Sequence, residues 1–434
     1  MKRNNFINYS ITILIGITLI LRLINKNIFN IYNMLINYLS IILIIGSSIY
    51  FSIKLKFLQF NILKLSKNII TSTKDDIKAL FMSMGSKIGV GTIAGISIAI
   101  YISGPGVLLW IWIITILSSI LTYCETYLGS KYKYHDNGGA FYYIKKRLNN
   151  KNLSIIYTII LILVYAIGFV GIQSNTILKS IEEVSNINKY VIIIITITII
   201  SIIIFNQVQY IINFISKIVP IMCLIYLVSG LLIILKINNI KEIFYLIIAS
   251  GLNSNNTIWQ IMIVGLQRGI FATESGIGTS SISTSISNSN PSKQGLFQVL
   301  GVHFISLIII TITGLLIISN SNNYIGSING IEIVMSIFNN YYGKIGKIIL
   351  CIIIILFAIS TIISAYYFTL KGIEFIKNKI TNLDYLLIKL FIIIFLLLGM
   401  IINSSLIWSI IDTLVLFLLI INVYTIIKLR KEIK

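Results

Sequence analysis

Charge of either sign is scarce in this chain, and acid is scarcer than base. Of 434 residues only 11% are charged, with 13 Asp and Glu against 34 Lys and Arg. A soluble domain carries about 25% charged residues, so this shortage excludes an ordinary aqueous globule. Cysteine is rarer still. Cys124, Cys223 and Cys351 fall in apolar runs without paired spacing, which argues against both a disulfide framework and a zinc site. The lone histidines, His135 and His303, read as structural groups rather than metal ligands, and neither HExxH nor GxSxG occurs. An enzyme is not expected, nor is a resident cofactor.

What is present is apolar surface: 57% of the residues are hydrophobic and the mean hydropathy is +0.95. A spanning helix takes roughly 20 apolar residues. Apolar runs at 34–53, 77–102, 105–130, 154–178, 190–205, 211–235, 258–285, 295–318, 345–370, 386–402 and 406–427 predict transmembrane helices. A further run at 6–24 behind Lys2 and Arg3 reads as an extra span, with a signal-like segment as the alternative. Many of these runs are Ile-rich, but in a bilayer each span must satisfy its own backbone, so helix prevails over strand. Segment 240–250 is too short to span and reads as an interfacial or re-entrant helix.

The excess of base is a topology signal, so no nucleic acid partner is expected. Basic residues crowd alternate connections: Lys54, Lys56, Lys64 and Lys67, then Lys131, Lys133, Lys145, Lys146 and Arg147, then Lys371, Lys377 and Lys379, and last Lys428, Arg430, Lys431 and Lys434. The positive-inside rule places those loops and the C-terminus in the cytoplasm, as in a multi-pass protein of the cell membrane.

Two spans are interrupted by glycine clusters. The first reads Gly85-Ser86-Lys87-Ile88-Gly89-Val90-Gly91-Thr92-Ile93-Ala94-Gly95. The second runs from Gly265 through Arg268, Gly269, Phe271, Thr273, Glu274 and Gly276 to Gly278. Each mixes glycines, hydroxyls and an ionisable group at bilayer depth, where unwound backbone is tolerated only around a cavity or inside protein. Counted from residue 77, the breaks fall in the first and sixth of ten helices. That predicts an all-α, five-plus-five inverted repeat with a binding site at the midplane. Free N–H groups at one half-helix end suit a carboxylate, and free carbonyls at the opposing end suit an ammonium group or a sodium ion. A small zwitterion fits both.

These residues carry a family resemblance. Gly89 through Gly95 resembles the GTGNIAG of the alanine/glycine:cation symporter family, of the amino acid–polyamine–organocation group. Ser103-Gly104-Pro105-Gly106 with Trp110 and Trp112 resembles its GGPGxxxWxW, and Glu125 through Lys133 its ExxLAxKYR. Gly138 through Tyr143 is similar to GGPMYY, Gln173-Ser174-Asn175 to a QxN, and Arg268 through Gly278 to RGLFSNEAGLG. Pro291 with Gln294-Gly295 resembles HPxxQG, Phe357 through Thr361 resembles FAFST, and Asp412 and Asn422 sit at the family spacing. The resemblance covers about 34–428 and implies a leucine-transporter-like core with about 11 to 12 transmembrane helices. It also implies symport of a small neutral amino acid, typically alanine or glycine, with sodium. Carried over by position, it proposes Gly89, Gly91, Thr92, Gln173, Phe271, Thr273 and Thr361 for the substrate pocket.

The departures matter. Thr92 and Thr273 stand where the family has asparagine, replacing an amide by a shorter hydroxyl. Ala365 replaces a pocket tryptophan one turn from Thr361, which predicts a substrate bulkier than alanine. Lys87 replaces a threonine beside the ion-binding region, to which Ser360 is also assigned. Two readings stay open: snorkelling toward the cytoplasm, or a tethered ammonium in place of sodium, which leaves uniport, exchange or proton symport. Glu125, Asn175, Arg268, Glu274 and Asp412 are expected to pair or gate rather than touch substrate, Glu125 through nearby cations.

The expected organisation is an N-terminal segment 1–33, a peripheral helix and basic loop 34–76, repeats at 77–236 and 258–428 joined by 237–257, and a tail 429–434. The expected partners are a neutral amino acid, sodium or a proton, and the lipid bilayer, with no obligate protein partner. The rival reading is a non-transporting, sensor-like homologue.

Overall fold

Helix starts are set by local side chains. Thr73 and Asp76 form a reciprocal capping box, with Thr73 N to Asp76 Oδ2 at 2.9 Å and Asp76 N to Thr73 Oγ1 at 3.2 Å. Thr381 and Asp384 repeat the device at 3.0 and 3.3 Å. Asn150, Asn188 and Asn290 each accept an N–H from the first turn they precede, and Pro291 occupies the first turn of its helix.

The computed structural model describes residues 26–61, 71–134, 137–252, 258–320, 330–377, 379–402 and 404–434. The helices are α1 (Lys26–Lys54), α2 (Lys74–Lys87), α3 (Ala94–Ser103), α4 (Val107–Lys131), α5 (Ala140–Arg147), α6 (Lys151–Glu182), α7 (Lys189–Ile204) and α8 (Val208–Ile234). They continue as α9 (Ile240–Leu252), α10 (Ile258–Thr273), α11 (Ser280–Ser283), α12 (Pro291–Ser319), α13 (Gly330–Lys377), α14 (Asn382–Ile401) and α15 (Ser404–Lys428). Among the described residues eight helices are long and apolar enough to cross a membrane, and the bent α2–α3 pair makes a ninth span. The shorter α7 and the interrupted α10–α11 fill the two remaining expected places. The proposed span at 6–24, with Lys64, Lys67 and His135, lies outside the described residues.

Three features go beyond the apolar pattern. α6 and α12 each contain a π-helical stretch, Leu163–Phe169 and Ile305–Ile310. α13 is broken at Gly343 (φ 62°), so an extra helical piece from Gly330 precedes the span expected at 345–370. The segment at 240–250 is helical and packs on α4, with Trp110 Nε1 donating to Gly251 O at 3.1 Å.

α10 and α12 pack on α4, α13 and α14 on α6, and α8 on α2 and α13. The broken pairs are thereby held inside a ring of continuous helices. The outward faces of α7, α8 and α14 are apolar, as at Ile194, Leu224 and Leu383. In a bilayer such surface faces acyl chains.

Candidate substrate site at the helix breaks

The first break follows from the glycine spacing. α2 ends at Lys87, Gly89 is extended, Val90–Thr92 make one 3-10 turn, and α3 leaves at 63° to α2. A Cβ on Gly89 would lie 2.5 Å from Thr361 Oγ1 and 2.7 Å from Gln173 Nε2. One on Gly91 would lie 2.5 Å from the Phe271 ring. Bare backbone therefore meets α6, α10 and α13 at one point. Gln173 Oε1 accepts Val90 N–H at 3.0 Å, and Thr92 Oγ1 turns back onto Gly89 O at 2.8 Å. Gly89, Gly91, Thr92, Gln173, Phe271 and Thr361 thus converge. Thr273 lies two residues beyond Phe271 on the same helix, fully buried, its hydroxyl donating to Gly269 O. Ala365 is fully buried one turn along α13 from Thr361.

At the second break three residues in five have positive φ: Glu274 (53°), Gly276 (82°) and Gly278 (98°). The last two are glycines, which tolerate that region; Glu274 does not favour it. The unwound backbone is satisfied from outside. Glu125 Oε2 accepts Gly278 N–H at 2.8 Å, Asn422 Nδ2 donates to Gly276 O at 2.9 Å, and Tyr157 Oη donates to Ile277 O at 2.6 Å. Glu125 is therefore a backbone anchor as well as a neighbour of Lys87.

Lys87 is buried, with Nζ on Ser280 Oγ at 2.9 Å beside the carboxylates of Glu274 and Glu125. Ser86 and Thr279 donate to Glu274 Oε2 at 3.1 and 2.7 Å. The second oxygens of both acids accept no well-formed hydrogen bond, and the hydroxyl of Tyr165 lies beside Glu274 and Thr279. Gly85, two residues before Lys87 and so on the other face of α2, offers its carbonyl to Thr361 Oγ1 at 3.1 Å and Ser360 Oγ at 3.3 Å. The ammonium and the α2–α13 contact are separate places.

Phe271 stacks on Phe169 (4.6 Å between centroids) and packs on Trp408 (4.7 Å). Arg268 lies 4.5 Å from the Trp408 centroid and pairs with Asp412 at 2.6 Å. This names the partner for Asp412, and it caps the site on the side away from the C-terminus. Asn175 points elsewhere, donating to Gly399 O and Ile402 O at 3.1 and 3.2 Å to hold the end of α14. Phe169 and Trp408 carried no contrast within their apolar runs, so sequence reasoning missed them.

The sequence model of the sodium:alanine symporter family matches residues 21–434. The chain belongs to that family. It is 30% identical to a probable sodium/glutamine symporter, GlnT, of Bacillus subtilis, over 91% of this chain and 86% of the relative. It is 28% identical to the amino-acid carrier protein AlsT of the same organism (88% and 85%) and 25% identical to the sodium/alanine symporter AgcS of Methanococcus maripaludis (86% and 88%). Among solved structures it resembles MhsT in complex with L-phenylalanine, with a TM-score of 0.59 at 15% identity over 82% of this chain and 89% of that one. A Na+-coupled sialic acid symporter gives 0.55 at 18%, over 88% and 83%. The fold is thus that of the leucine-transporter group. The protein is a multi-pass membrane transporter and not an enzyme.

Proposed function

We propose that the protein takes up a small neutral amino acid into the cell by symport with a sodium ion, through alternating access of two repeats, 77–236 and 258–428. The carrying observation is the convergence of bare backbone at Gly89 and Gly91 with Gln173, Phe271 and Thr361, a buried set without an ionisable side chain. A zwitterion supplies both charges itself: its carboxylate goes to the N-terminal end of α3, and its ammonium to carbonyls at the breaks. Sodium, as co-substrate, is assigned to the Gly85 carbonyl with the Ser360 and Thr361 hydroxyls. These are hard oxygen donors from two helices that already touch. One sodium ion entering down about 150 mV releases roughly 3.4 kcal/mol, enough for more than about a hundredfold accumulation. The cell membrane is the site of action, with the C-terminus cytoplasmic.

A second reading rests on the oxygens of Glu125 and Glu274 around Lys87 that accept no well-formed hydrogen bond: sodium-independent or proton-coupled transport, with the lysine as internal cation. The position of Lys87 on the face opposite Gly85 supports sodium symport. Uptake of labelled alanine and glutamine into proteoliposomes, with and without an inward sodium gradient, tests this. Sodium-driven accumulation weakened by Ser360→Ala and Thr361→Ala, but still sodium-dependent in Lys87→Thr, is expected. Uptake indifferent to sodium in the native chain, with sodium dependence appearing in Lys87→Thr, overturns it in favour of the second reading. Binding without uptake leaves the sensor-like role. Ala365 supports a side chain larger than methyl, and leucine or phenylalanine failing to compete where alanine does refutes that part.

A further inference from the structure

Away from the helix breaks, at the end of the bundle that carries the C-terminus, a cavity of about 550 Å³ opens between α5, the end of α13 and the start of α14. Its charged lining is Lys145, Lys146, Lys371 and Glu374. Glu374 is engaged by Lys371 at 2.9 Å, and Lys371 also donates to Asn137 Oδ1 at 2.6 Å. Lys145 and Lys146 lie over the rings of Phe375 (5.2 Å) and Tyr134 (4.8 Å), and among the described residues neither is in an ion pair. The cavity is a basic bowl with aromatic walls, and among the described residues two of its cations are in no ion pair.

A second hollow of about 480 Å³ adjoins it and shares Tyr385 as a wall. Phe205, Val208, Tyr366 and Leu386 make its apolar wall, with Asn206, Gln207 and Asn382 at its edge and Lys389 at one side. It opens beside α14, whose Leu383, Leu387 and Leu390 are exposed and apolar. Basic bowl and apolar hollow therefore run together at the level where the apolar surface of the bundle gives way to its basic loops. A free phosphate needs only the first. A molecule with an anionic head and an acyl chain uses both, and basic pockets between helices at this depth are suited to acidic headgroups.

We infer that this double cavity is a binding site for an anionic phospholipid, its phosphate held by Lys145, Lys146 and Lys371 and its chain laid past Tyr385 along Phe205, Val208 and Leu386. The lipid bridges α5 to α13, the helix that also carries Ser360 and Thr361. The site lies outside the substrate pocket and does not depend on what the pocket carries.

The test is native mass spectrometry of the full-length protein, purified in detergent and supplied with phosphatidylglycerol or phosphatidylcholine in equal amounts. The expected result is one retained phosphatidylglycerol, favoured at least about fivefold over phosphatidylcholine. A Lys145→Gln/Lys146→Gln variant should lose that preference, Lys145→Arg/Lys146→Arg should keep it, and Lys428→Gln/Lys431→Gln, which removes the same charge at the same end, should not change it. Both mutated lysines of α5 are exposed, and the arginine variant controls for folding. Equal loss in the α5 and tail variants overturns the site in favour of general surface charge. Displacement of the lipid by millimolar inorganic phosphate, with the Leu386→Gln variant unchanged, overturns the lipid as occupant and leaves a soluble anion.

Discussion

Asn422 Nδ2 donates to Glu125 Oε2 at 3.0 Å, and both residues also grip the unwound backbone of the second break, at Gly276 O and Gly278 N. Two helices far apart in sequence are thereby tied to one another through a stretch of chain that has no helix of its own. The break is held open by side chains that replace the missing turn.

Glu125→Ala strands the Gly278 N–H and part of the Asn422 amide in a buried place. Each stranded group costs about 1–3 kcal/mol. The variant should unfold at lower temperature in detergent and lose uptake. Glu125→Gln keeps an acceptor oxygen and should lose less on both counts. Equal loss in the two variants shows that charge rather than the acceptor matters.

Arg268 and Asp412 pair at 2.6 Å with side chains only 10% and 13% exposed. Removing one partner leaves the other charge without compensation, at about 3–5 kcal/mol. Arg268→Met and Asp412→Leu singly should each destabilise more than the double variant does. A double-mutant cycle on thermal unfolding reads this directly; additive losses refute it.

Gly91 faces the edge of a Phe271 ring that is itself clamped between Phe169 and Trp408. The ring has nowhere to retreat. Gly91→Ala should raise KM for uptake at least about tenfold with normal membrane expression, as expected when overpacking costs about 1–3 kcal/mol. Phe271→Leu in the same chain should recover part of the loss. No recovery points to backbone strain at Gly91 instead.

The tail past α15 folds back on the basic end. Glu432 accepts from Tyr132 Oη at 2.5 Å, from Arg147 and from Lys131 at 3.0 Å. Those bonds, the tyrosine's first, hold its carboxyl down at about 2. A lowered carboxyl contributes its full stabilisation above the ordinary carboxylate range and loses it as pH falls toward about 2. Protease sensitivity of the last residues should therefore be flat near neutrality and rise below about pH 4.5. Glu432→Gln should be sensitive at every pH.

The two breaks were legible because glycine and ionisable residues contrast sharply with an Ile-rich background, as at Gly89, Gly91 and Glu274. Thr361 and Gln173 followed from their motifs. The Arg268–Asp412 pair was not legible, because nothing along a chain says which buried charges meet across 144 residues. Phe169 and Trp408 were hidden for the opposite reason, being apolar residues among apolar residues. The helical piece from Gly330 to the break at Gly343 follows a polar stretch that gives a hydropathy reading no signal. The π-helical stretches leave no mark, since an extra residue per turn does not change composition.

That extra residue has an angular consequence. Each residue of an α-helix advances about 100° around the axis, and a π turn absorbs one residue more than the ladder otherwise holds. The stretch at Leu163–Phe169 lies just ahead of Gln173 and Asn175. It therefore sets the compass bearing of both: Gln173 toward Val90, Asn175 toward the end of α14. Excising one residue there would leave the downstream half of α6 in register, whereas straightening that stretch into regular α-helix with every residue kept would swing it by about a quarter turn. Gln173 would then be present in the sequence and absent from the site.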